Sequence, residues 1–471
     1  MEEKRPAMRP VNPRRRKKTQ FEIFKEAYLP MIIACTALIM IVVIIIGSIV
    51  RGFQYRRIDA ENQYKESVAA QEELDRLTAE ANTLLKDAAA LAVHHDYEAA
   101  AALLKNFSGD PAQFPQVSEM ITQYQQQHDQ LVLWEDPSKI VNLSFQVLIT
   151  DPERAYADAN YGSSFKKSYV TTSEFSAILD QLYTNQYILI RTEDYIQKIN
   201  NADGTTDYAY KELYLPAGKK PLILTQTNVN YNLYMVDGDG DKVPDKDGSG
   251  FANKLLIDEN GNLACEYIHP DGTVETGAFD LIPILESFLT THPDFSYKGA
   301  RAVIALTGYN GLFGYRTNQD SQAALGEEVF SQETLNAKEV SMELRRRGYE
   351  LACYTYRNVA YGNYTVEEIA QDLAKWNTEA VPILGAIDMF VFAKDSDIAP
   401  SGSPYSGEKY QKLYDAGFRN FIGFSTDGQP WVLWDHDCVR QGRLMVNANN
   451  LTNHPEWFTG ILDATVLDPT R

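Results

Sequence analysis

The chain is poor in cysteine and, beyond its first residues, in positive charge. It has four cysteines in 471 residues, and Cys35 lies in an apolar run, which leaves Cys265, Cys353 and Cys438 with no short spacing between them. An odd number of widely spaced cysteines excludes a disulfide framework. Residues 31–471 carry 35 Lys and Arg against 60 Asp and Glu. This acidic excess repels phosphates, which excludes nucleic acid as a partner and argues against docking on anionic lipid.

A long apolar segment, Met31 to Val50, lies behind the basic cluster Arg14 to Lys18. Twenty residues in a helix extend about 30 Å, which matches the hydrocarbon thickness of a bilayer. The first 30 residues contain nine Lys and Arg against four Asp and Glu. Because positively charged flanks stay cytoplasmic, the sequence predicts a cytoplasmic tail over 1–30, a lipid-contacting transmembrane helix over 31–50, and a main domain outside the plasma membrane.

A cleaved signal peptide is the alternative interpretation of this segment. The run is too long for an ordinary signal-peptide core. The residues at its end, Gly47-Ser48-Ile49-Val50-Arg51, lack a small-x-small pattern and form a poor cleavage site. A retained single-pass anchor is therefore the favoured prediction.

Residues 51–135 are predicted to form an extracellular helical stalk. Apolar residues recur there at steps of three and four, so they share one seam of a long helix, as in a coiled coil that self-associates. The seam residues are Leu74, Leu77, Ala81, Leu84, Ala88 and Leu91.

A helix junction is predicted at His94-His95-Asp96. Asp96 is a suitable cap for a second helix, Tyr97 to Leu104, and a third helix is expected from Gln116 to Leu131. The three helices resemble a single tetratricopeptide-like hairpin, which needs another surface to bury its apolar face. Metal binding by the two histidines is the less favoured interpretation, because adjacent residues on a helix point about 100° apart.

Beyond Pro137, short apolar runs alternate with amphipathic stretches. This alternation predicts an α/β domain over 136–471 with a mostly parallel sheet, open or closed into a barrel, and with its chemistry at the carboxyl ends of the strands. The predicted helices are Ser173 to Tyr183, Phe279 to Leu289 and Leu335 to Arg347. The predicted strands are Val141 to Ile149, Tyr187 to Ile190, Leu222 to Leu224, Ala302 to Leu306, Val381 to Leu384 and Met389 to Phe392.

Four ordered motifs lie at these predicted strand ends: Tyr169 to Leu179, Lys220 to Thr225, Ala305 to Tyr309, and Gly348 to Tyr356. With these motifs, residues 140–471 resemble the NodB-homology polysaccharide deacetylases, carbohydrate esterase family four. The resemblance implies a distorted (β/α) barrel that removes acetyl groups from N-acetylated sugars in cell-wall polysaccharide or exopolysaccharide.

The resemblance also implies a divalent metal held by one aspartate and two histidines, with a second aspartate as the base. Thr227 and Asn228 occupy the aspartate positions here, and Tyr354 and Asn358 occupy the histidine positions. Thr cannot act as a base near neutral pH, and this set offers no anion and no imidazole. The third motif, at Val391 to Asp395, lacks its Arg and Pro.

The sequence therefore predicts a divergent, catalytically silent member that binds no transition metal and serves in glycan binding or scaffolding. The alternative is an active de-N-acetylase with a relocated site at another acidic cluster, such as Asp395 and Asp397. An assembly module that works through the stalk is a third possibility.

Aromatic residues near the expected strand ends are candidates for a sugar-binding groove at the barrel end. Core packing is the alternative role for each of them. The groove candidates are Tyr231, Tyr309, Tyr356 and Trp431, with Tyr354 and Tyr361 nearby.

An aspartate-rich segment runs from Asp237 to Asp247. Carboxylates at alternate positions, with glycines between them, can curl around one hard cation, and the pattern resembles extracellular calcium loops. Lys242 replaces the usual glycine and no bidentate Glu follows, so a weak calcium site is predicted; a solvated acidic tip is the alternative. The calcium ligand candidates are Asp237, Asp239, Asp241, Val243 (through its carbonyl), Asp245 and Asp247.

Overall fold

The computed structural model describes residues 17–471, so most of the predicted basic cluster, Arg14 to Arg16, lies outside the described residues. The chain forms two compact units, which meet in sequence between Asn82 and Thr83. In the first unit, a short helix, Gln20–Ile23, and a π-helical turn, Phe24–Tyr28, precede helix α1, Leu29–Ala92, whose last ten residues belong to the second unit.

Helix α1 contains the predicted apolar segment. By length and composition, the helical stretch Gln20–Ala92 can cross a membrane: its most apolar window has a mean hydropathy of 3.1, and none of that window is buried. A signal sequence near an N-terminus passes the same test. The helix predicted over Met31 to Val50 is thus present and compatible with a single-pass anchor.

The helix junction forms as predicted. The Asp96 carboxylate accepts the N–H of Ala99 at 3.3 Å and caps helix α2, Tyr97–Leu104; helix α3, Pro115–Asp129, follows. The carbonyl of His94 accepts the N–H of Lys298 at 2.7 Å, and Nε2 of His95 lies 3.1 Å from the carbonyl of Asp294. Both histidines are therefore used in docking the junction, in agreement with the polar-junction interpretation.

The second unit begins at Thr83, whereas the sequence analysis placed the start of the barrel domain at residue 136. Helices α2 and α3 belong to the same compact unit as the barrel. Strand Val132–Leu133, which follows α3, pairs antiparallel with Tyr214–Leu215 of the barrel domain. The apolar face of the hairpin, which needs a partner, is buried through Ala100, Ala101, Leu104, Val117 and Tyr124.

Eight parallel strands form the main sheet of the second unit. They are β1 Val141–Phe145, β2 Tyr187–Leu189, β3 Lys220–Thr227, β4 Val303–Leu306, β5 Glu350–Cys353, β6 Met389–Val391, β7 Asn420–Phe424 and β8 Cys438–Met445.

Seven of these strands close into a ring in the order β3, β4, β5, β6, β7, β8, β1 and back to β3. The long strand β3 makes the closure possible, because it pairs with β1 along one edge and with two strands along the other. Its first half pairs with β2 through Leu222 and Leu189, and its second half pairs with β4 through Thr225 and Val303. This closed ring with helices outside confirms the predicted distorted (β/α) barrel.

Side chains alternate between the inside and the outside of the barrel, as the strand period of two requires. Ile223, Ala352 and Val391 belong to the inner core, whereas Leu222 and Leu351 belong to the larger core under the outer helices. Outer helices were predicted at three places and are present there. The main outer helices are α4 Thr172–Thr184, α5 Leu281–Thr291, α6 Glu327–Arg347, α7 Val366–Glu379 and α8 Glu408–Asp415.

The predicted strand at Val381 to Leu384 is wrong, since this segment forms one helical turn after α7. Its apolar residues are too few to separate a strand from a buried helix turn by pattern alone. The remaining short α-helices are Pro152–Ala157, Gly162–Ser168, Thr192–Tyr195, Leu233–Val236, Gln319–Leu325 and Ala448–Asn453. The remaining strands are Ile196–Asn200, Thr206–Tyr210, Lys254–Ile257, Leu263–Ile268, Val274–Gly277 and Val432–Asp435.

The amino-terminal end of the barrel holds a largely buried carboxyl group, Glu350 at the start of β5. It accepts the backbone N–H of Thr192 at 3.0 Å and also the Thr192 hydroxyl. Burial raises the pKa of Glu350 to about 7, the hydrogen bonds from Thr192 oppose this, and the charges of Asp194 and Glu193 add to it. The folded protein therefore holds a proton here that the unfolded chain loses near pH 4.5.

This difference predicts that stability falls as the pH rises. The contribution of Glu350 is complete below about pH 4.5 and is lost as the pH passes 7, a loss of about 3 kcal/mol. We expect Glu350→Gln to abolish this part of the pH dependence in chemical denaturation of the full-length protein. The exposed Glu259→Gln should keep the wild-type dependence. An unchanged profile for Glu350→Gln would contradict the assignment.

Candidate functional site

The structure brings the two key sequence motifs to the same end of the barrel. Thr227 is the last residue of β3 and Asn228 follows it, while Tyr354 directly follows β5; strand β4 lies between these two strands. The backbone turns sharply after each strand, with φ of 62° at Asn228 and 55° at Asn358. These turns end the strands and leave all four side chains at the carboxyl end.

An amide from a third strand end joins them. Gln146 follows β1, and its side-chain oxygen Oε1 accepts two hydrogen bonds. One comes from Nδ2 of Asn228 at 2.9 Å and the other from the hydroxyl of Thr227 at 3.3 Å. The Thr227 hydroxyl also approaches the carbonyl of Phe145 at 3.2 Å. Within residues 17–471, the buried side-chain oxygens of Asn228 and Asn358 have no hydrogen-bond partner.

A buried arginine completes this group. Arg443 on β8 is 1% exposed and donates from Nη2 to the carbonyl of Phe392 at 3.0 Å. Its guanidinium carbon lies 4.3 Å from the ring centroid of Phe424 and 5.7 Å from that of Tyr354. Burial lowers the pKa of Arg443, and Tyr354 and Asp395 act in the opposite direction. We name Gln146, Thr227, Asn228, Tyr354, Asn358 and Arg443 the barrel mouth.

Four tyrosines lie next to the barrel mouth, and we name Tyr161, Tyr169, Tyr234 and Tyr309 the tyrosine rim. Tyr161 and Tyr234 are 42% and 40% exposed, and their ring centroids are 5.1 Å apart. The hydroxyls of Tyr169 and Tyr234 lie 3.4 Å apart. The pKa of Tyr169 is well above its usual value because of burial, with further contributions from Tyr234, Tyr354 and Tyr309, so these phenols are neighbours.

The predicted groove aromatics only partly reach this surface. Tyr231 is 1% exposed and donates to Asp280 at 2.7 Å; Tyr356 is 5% exposed and donates to Glu379 at 2.7 Å. Both are core residues, because each hydroxyl is satisfied by a carboxylate behind the sheet; Tyr361 is likewise buried and donates to Asp372. Half-buried positions are found for Tyr309 and Trp431.

The acidic cluster after β6 divides into two different environments. Asp397 accepts Nη2 of Arg440 at 2.9 Å and the hydroxyl of Tyr405 at 2.7 Å, so it is held in a buried ion pair. Asp395 is exposed, with a φ of 49°. Only Asp395 is accessible for a relocated reaction.

The residues present do not fit the divalent metal of the family that the sequence resembles. Threonine, tyrosine and two asparagines supply neutral oxygens where that metal has a carboxylate and two imidazoles. The guanidinium of Arg443 lies beside Tyr354 and would repel a cation at this position. An arginine keeps its positive charge in a protein.

Sequence reasoning missed Arg443, Gln146 and three of the rim tyrosines. The usable signal was charge: two arginines, Arg440 and Arg443, lie within β8, a strand whose residues are mostly buried. Gln146 and Tyr234 carry no comparable signal, since only the folded chain places them at the mouth.

The aspartate-rich loop brings three of its five carboxylates together. Oxygens of Asp237, Asp239 and Asp245 lie within 4.8 Å of one another. Asp241 instead accepts the N–H of Val243 at 2.8 Å, and Asp247 pairs with Lys246 at 2.8 Å. The structure therefore gathers a smaller set of ligand candidates than the sequence suggested.

No protein-family model and no curated protein matches the chain. Among solved structures, it is similar to the Streptococcus pyogenes deacetylase PplD in complex with acetate, with 12% identity, 71% of this chain and 100% of that chain covered, and a TM-score of 0.33.

A second similar structure is the 4-alpha-glucanotransferase from Thermococcus litoralis. It has 11% identity and a TM-score of 0.21, and the match covers 37% of this chain and 26% of that chain. At these scores neither likeness assigns a family or an activity, and the barrel assignment rests on the strand pairing described above.

Proposed function

We propose that this is a membrane-anchored, polysaccharide-deacetylase-like protein whose barrel binds a cell-wall or exopolysaccharide glycan without metal-dependent hydrolysis. The observation that carries the proposal is the barrel mouth, where neutral amide, hydroxyl and phenol groups stand beside one buried arginine. Hydrolysis of an acetamide needs a base and a polarising cation at the reacting carbonyl. The four motif residues supply neither.

The same groups suit the recognition of a sugar. Amide oxygens without a partner accept hydrogen bonds from sugar hydroxyls, and exposed aromatic faces cover the apolar face of a sugar ring. The exposed pair Tyr161 and Tyr234 next to the mouth provides such faces. Binding at this end would leave the anchor helix to determine where the glycan is held.

We expect the full-length protein in detergent to bind chitotetraose but to release no acetate from it, with or without added Zn²⁺ or Co²⁺. Tyr234→Ala should weaken binding about 3- to 10-fold through loss of an aromatic face. Calorimetry measures the affinity, and an acetate assay measures hydrolysis.

The matched control is Tyr214→Ala, a tyrosine of equal exposure (41%) near the amino-terminal end of β3, which should bind as the wild type does. Acetate release that EDTA abolishes would show metal-dependent hydrolysis. It would contradict the proposal of a catalytically silent barrel and favour a relocated site at Asp395. Equal binding by Tyr234→Ala and wild type would remove the rim from the binding site.

The anchor is proposed to place residues 51–471 outside the plasma membrane, with the seam of α1 available for self-association. The native cysteines give little background for a labelling test, since Cys265, Cys353 and Cys438 are buried and Cys35 lies in the apolar segment.

In intact cells, a membrane-impermeant maleimide should label the exposed variant Thr276→Cys and leave Lys17→Cys unlabelled until the cells are broken. The physical reason is the positive flank before the apolar segment, which holds the N-terminus in the cytoplasm. Labelling of Lys17→Cys in intact cells would reverse the proposed topology. Release of the protein from membranes by carbonate would argue for a cleaved signal sequence.

We also propose that the aspartate-rich loop binds calcium weakly. Three carboxylates within 4.8 Å repel one another, and a hard cation with oxygen ligands relieves this repulsion. Calcium at roughly ten times a millimolar Kd would stabilise the folded state by about 1.4 kcal/mol.

Addition of calcium at about 10 mM, on the order of ten times the Kd, should therefore raise the melting temperature by about 2 °C. Asp239→Asn should remove this shift, because one of the three converging carboxylates is lost. The control Asp271→Asn changes an aspartate of another exposed turn and should keep it. If calcium does not change the melting temperature of the wild-type protein, the calcium proposal is wrong and the loop is a solvated acidic tip.

A further inference from the structure

The buried guanidinium of Arg443 has no carboxylate partner. Buried Arg316 has none either, but two of its nitrogens donate to the carbonyls of Asn310 and Tyr231. Arg440 contacts Asp397 at 2.9 Å and Arg471 contacts Glu174 at 2.8 Å. Around Arg443, residues 17–471 place no carboxylate oxygen within 4 Å, and Nε and Nη1 have no acceptor. A buried donor without an acceptor is costly, and more so when it is charged.

The neighbours of Arg443 do not neutralise it. Asp397 is already committed to Arg440 and Tyr405, and Asp395 is exposed although close enough to influence the guanidinium. The aromatic rings of Tyr354 and Phe424 cover parts of the guanidinium, and Tyr354, Asp395 and Asp397 favour its positive charge. Neither carboxylate forms an ion pair with Arg443, so its charge is only partly compensated by the described part of the chain.

Several other buried polar atoms at this end of the barrel also lack partners within residues 17–471. They include the hydroxyl oxygens of Ser144 and Thr307, which are on β1 and directly after β4, together with the amide oxygens of Asn228 and Asn358. Gln146, Asn358 and Tyr309, at the same end of the barrel, are half-buried and so reach the surface. Native proteins satisfy such groups, so this cluster points to a polar ligand with its anionic group toward Arg443.

From these observations we infer that the barrel mouth recognises an acidic glycan, in which Arg443 receives the carboxylate of a uronic-acid residue and the neutral groups around it receive sugar hydroxyls. This inference rests on the proposed glycan-binding function and names its ligand class. A singly charged carboxylate suits the site better than a phosphate dianion, because Asp395 and the net charge of −20 disfavour additional negative charge.

The test compares three ligands on the full-length protein in detergent: tetragalacturonate, its fully methyl-esterified form, and chitotetraose. The ester keeps the sugar rings and removes the charge. We expect the acid to bind at least tenfold more tightly than the ester. Arg443→Met should weaken binding of the acid about 10- to 100-fold, as expected for loss of a hydrogen bond to a charged group, and should leave the ester nearly unchanged.

Two further variants keep the test valid if Arg443→Met folds poorly. Asp395→Asn changes an exposed residue and removes a repelling charge, so it should tighten binding of the acid and not of the ester. Arg419→Met removes one positive charge beside Asn420, at the amino-terminal end of β7, and should behave as the wild type does.

The outcomes separate this inference from the function on which it rests. If the acid and the ester bind with equal affinity, and Tyr234→Ala weakens the binding of either, the inference of an acidic ligand is wrong and the proposed glycan binding stands. No binding of any of the three glycans overturns both. Displacement of tetragalacturonate by equimolar inorganic phosphate overturns the carboxylate assignment. Preference for the acid that disappears in Arg443→Met and increases in Asp395→Asn supports it.

Discussion

Closure of seven parallel strands is the constraint on which the rest of the second unit depends. The ring closes because β3 is long enough to pair with β1 on one edge and with β2 and then β4 on the other. In a closed parallel barrel, all carboxyl ends lie at one end. Gln146, Asn228, Tyr354 and Arg443 come from four different strand ends, so they meet only because the ring is closed.

The chemistry of that end is dominated by one cation among neutral groups. A metal site of the resembled family would hold a cation with an anion and two imidazoles, whereas here the cation is a side chain and the groups around it are neutral. The family's site attracts a cation through its acceptor groups, whereas the barrel mouth attracts an anion through the donors of Arg443. This reversal connects the missing ligands, the unpaired donors of Arg443 and the proposed acidic glycan in one physical argument.

Buried carboxylates perform a different task behind the sheet. Three tyrosine hydroxyls donate hydrogen bonds to these carboxylates. The pairs are Tyr231 with Asp280, Tyr356 with Glu379, and Tyr361 with Asp372. These bonds fix α5 and α7 against the barrel strands and account for several tyrosines of a chain that has 28. A tyrosine near a strand end is thus ambiguous in sequence, because the same residue type serves the core through its hydroxyl or a ligand through its ring.

The sequence alone determined the features that depend on local pattern: the apolar helix, the Asp96 cap, the outer helices and most barrel strands, since periodicity and capping act over a few residues. It also predicted that Thr227 and Tyr354 lie at strand ends, as they do. Tertiary structure decided that Val381 to Leu384 is helical and that Tyr231 and Tyr356 face the core. It also decided that Arg443 stands at the mouth without a carboxylate, because burial and pairing depend on contacts between strands far apart in sequence.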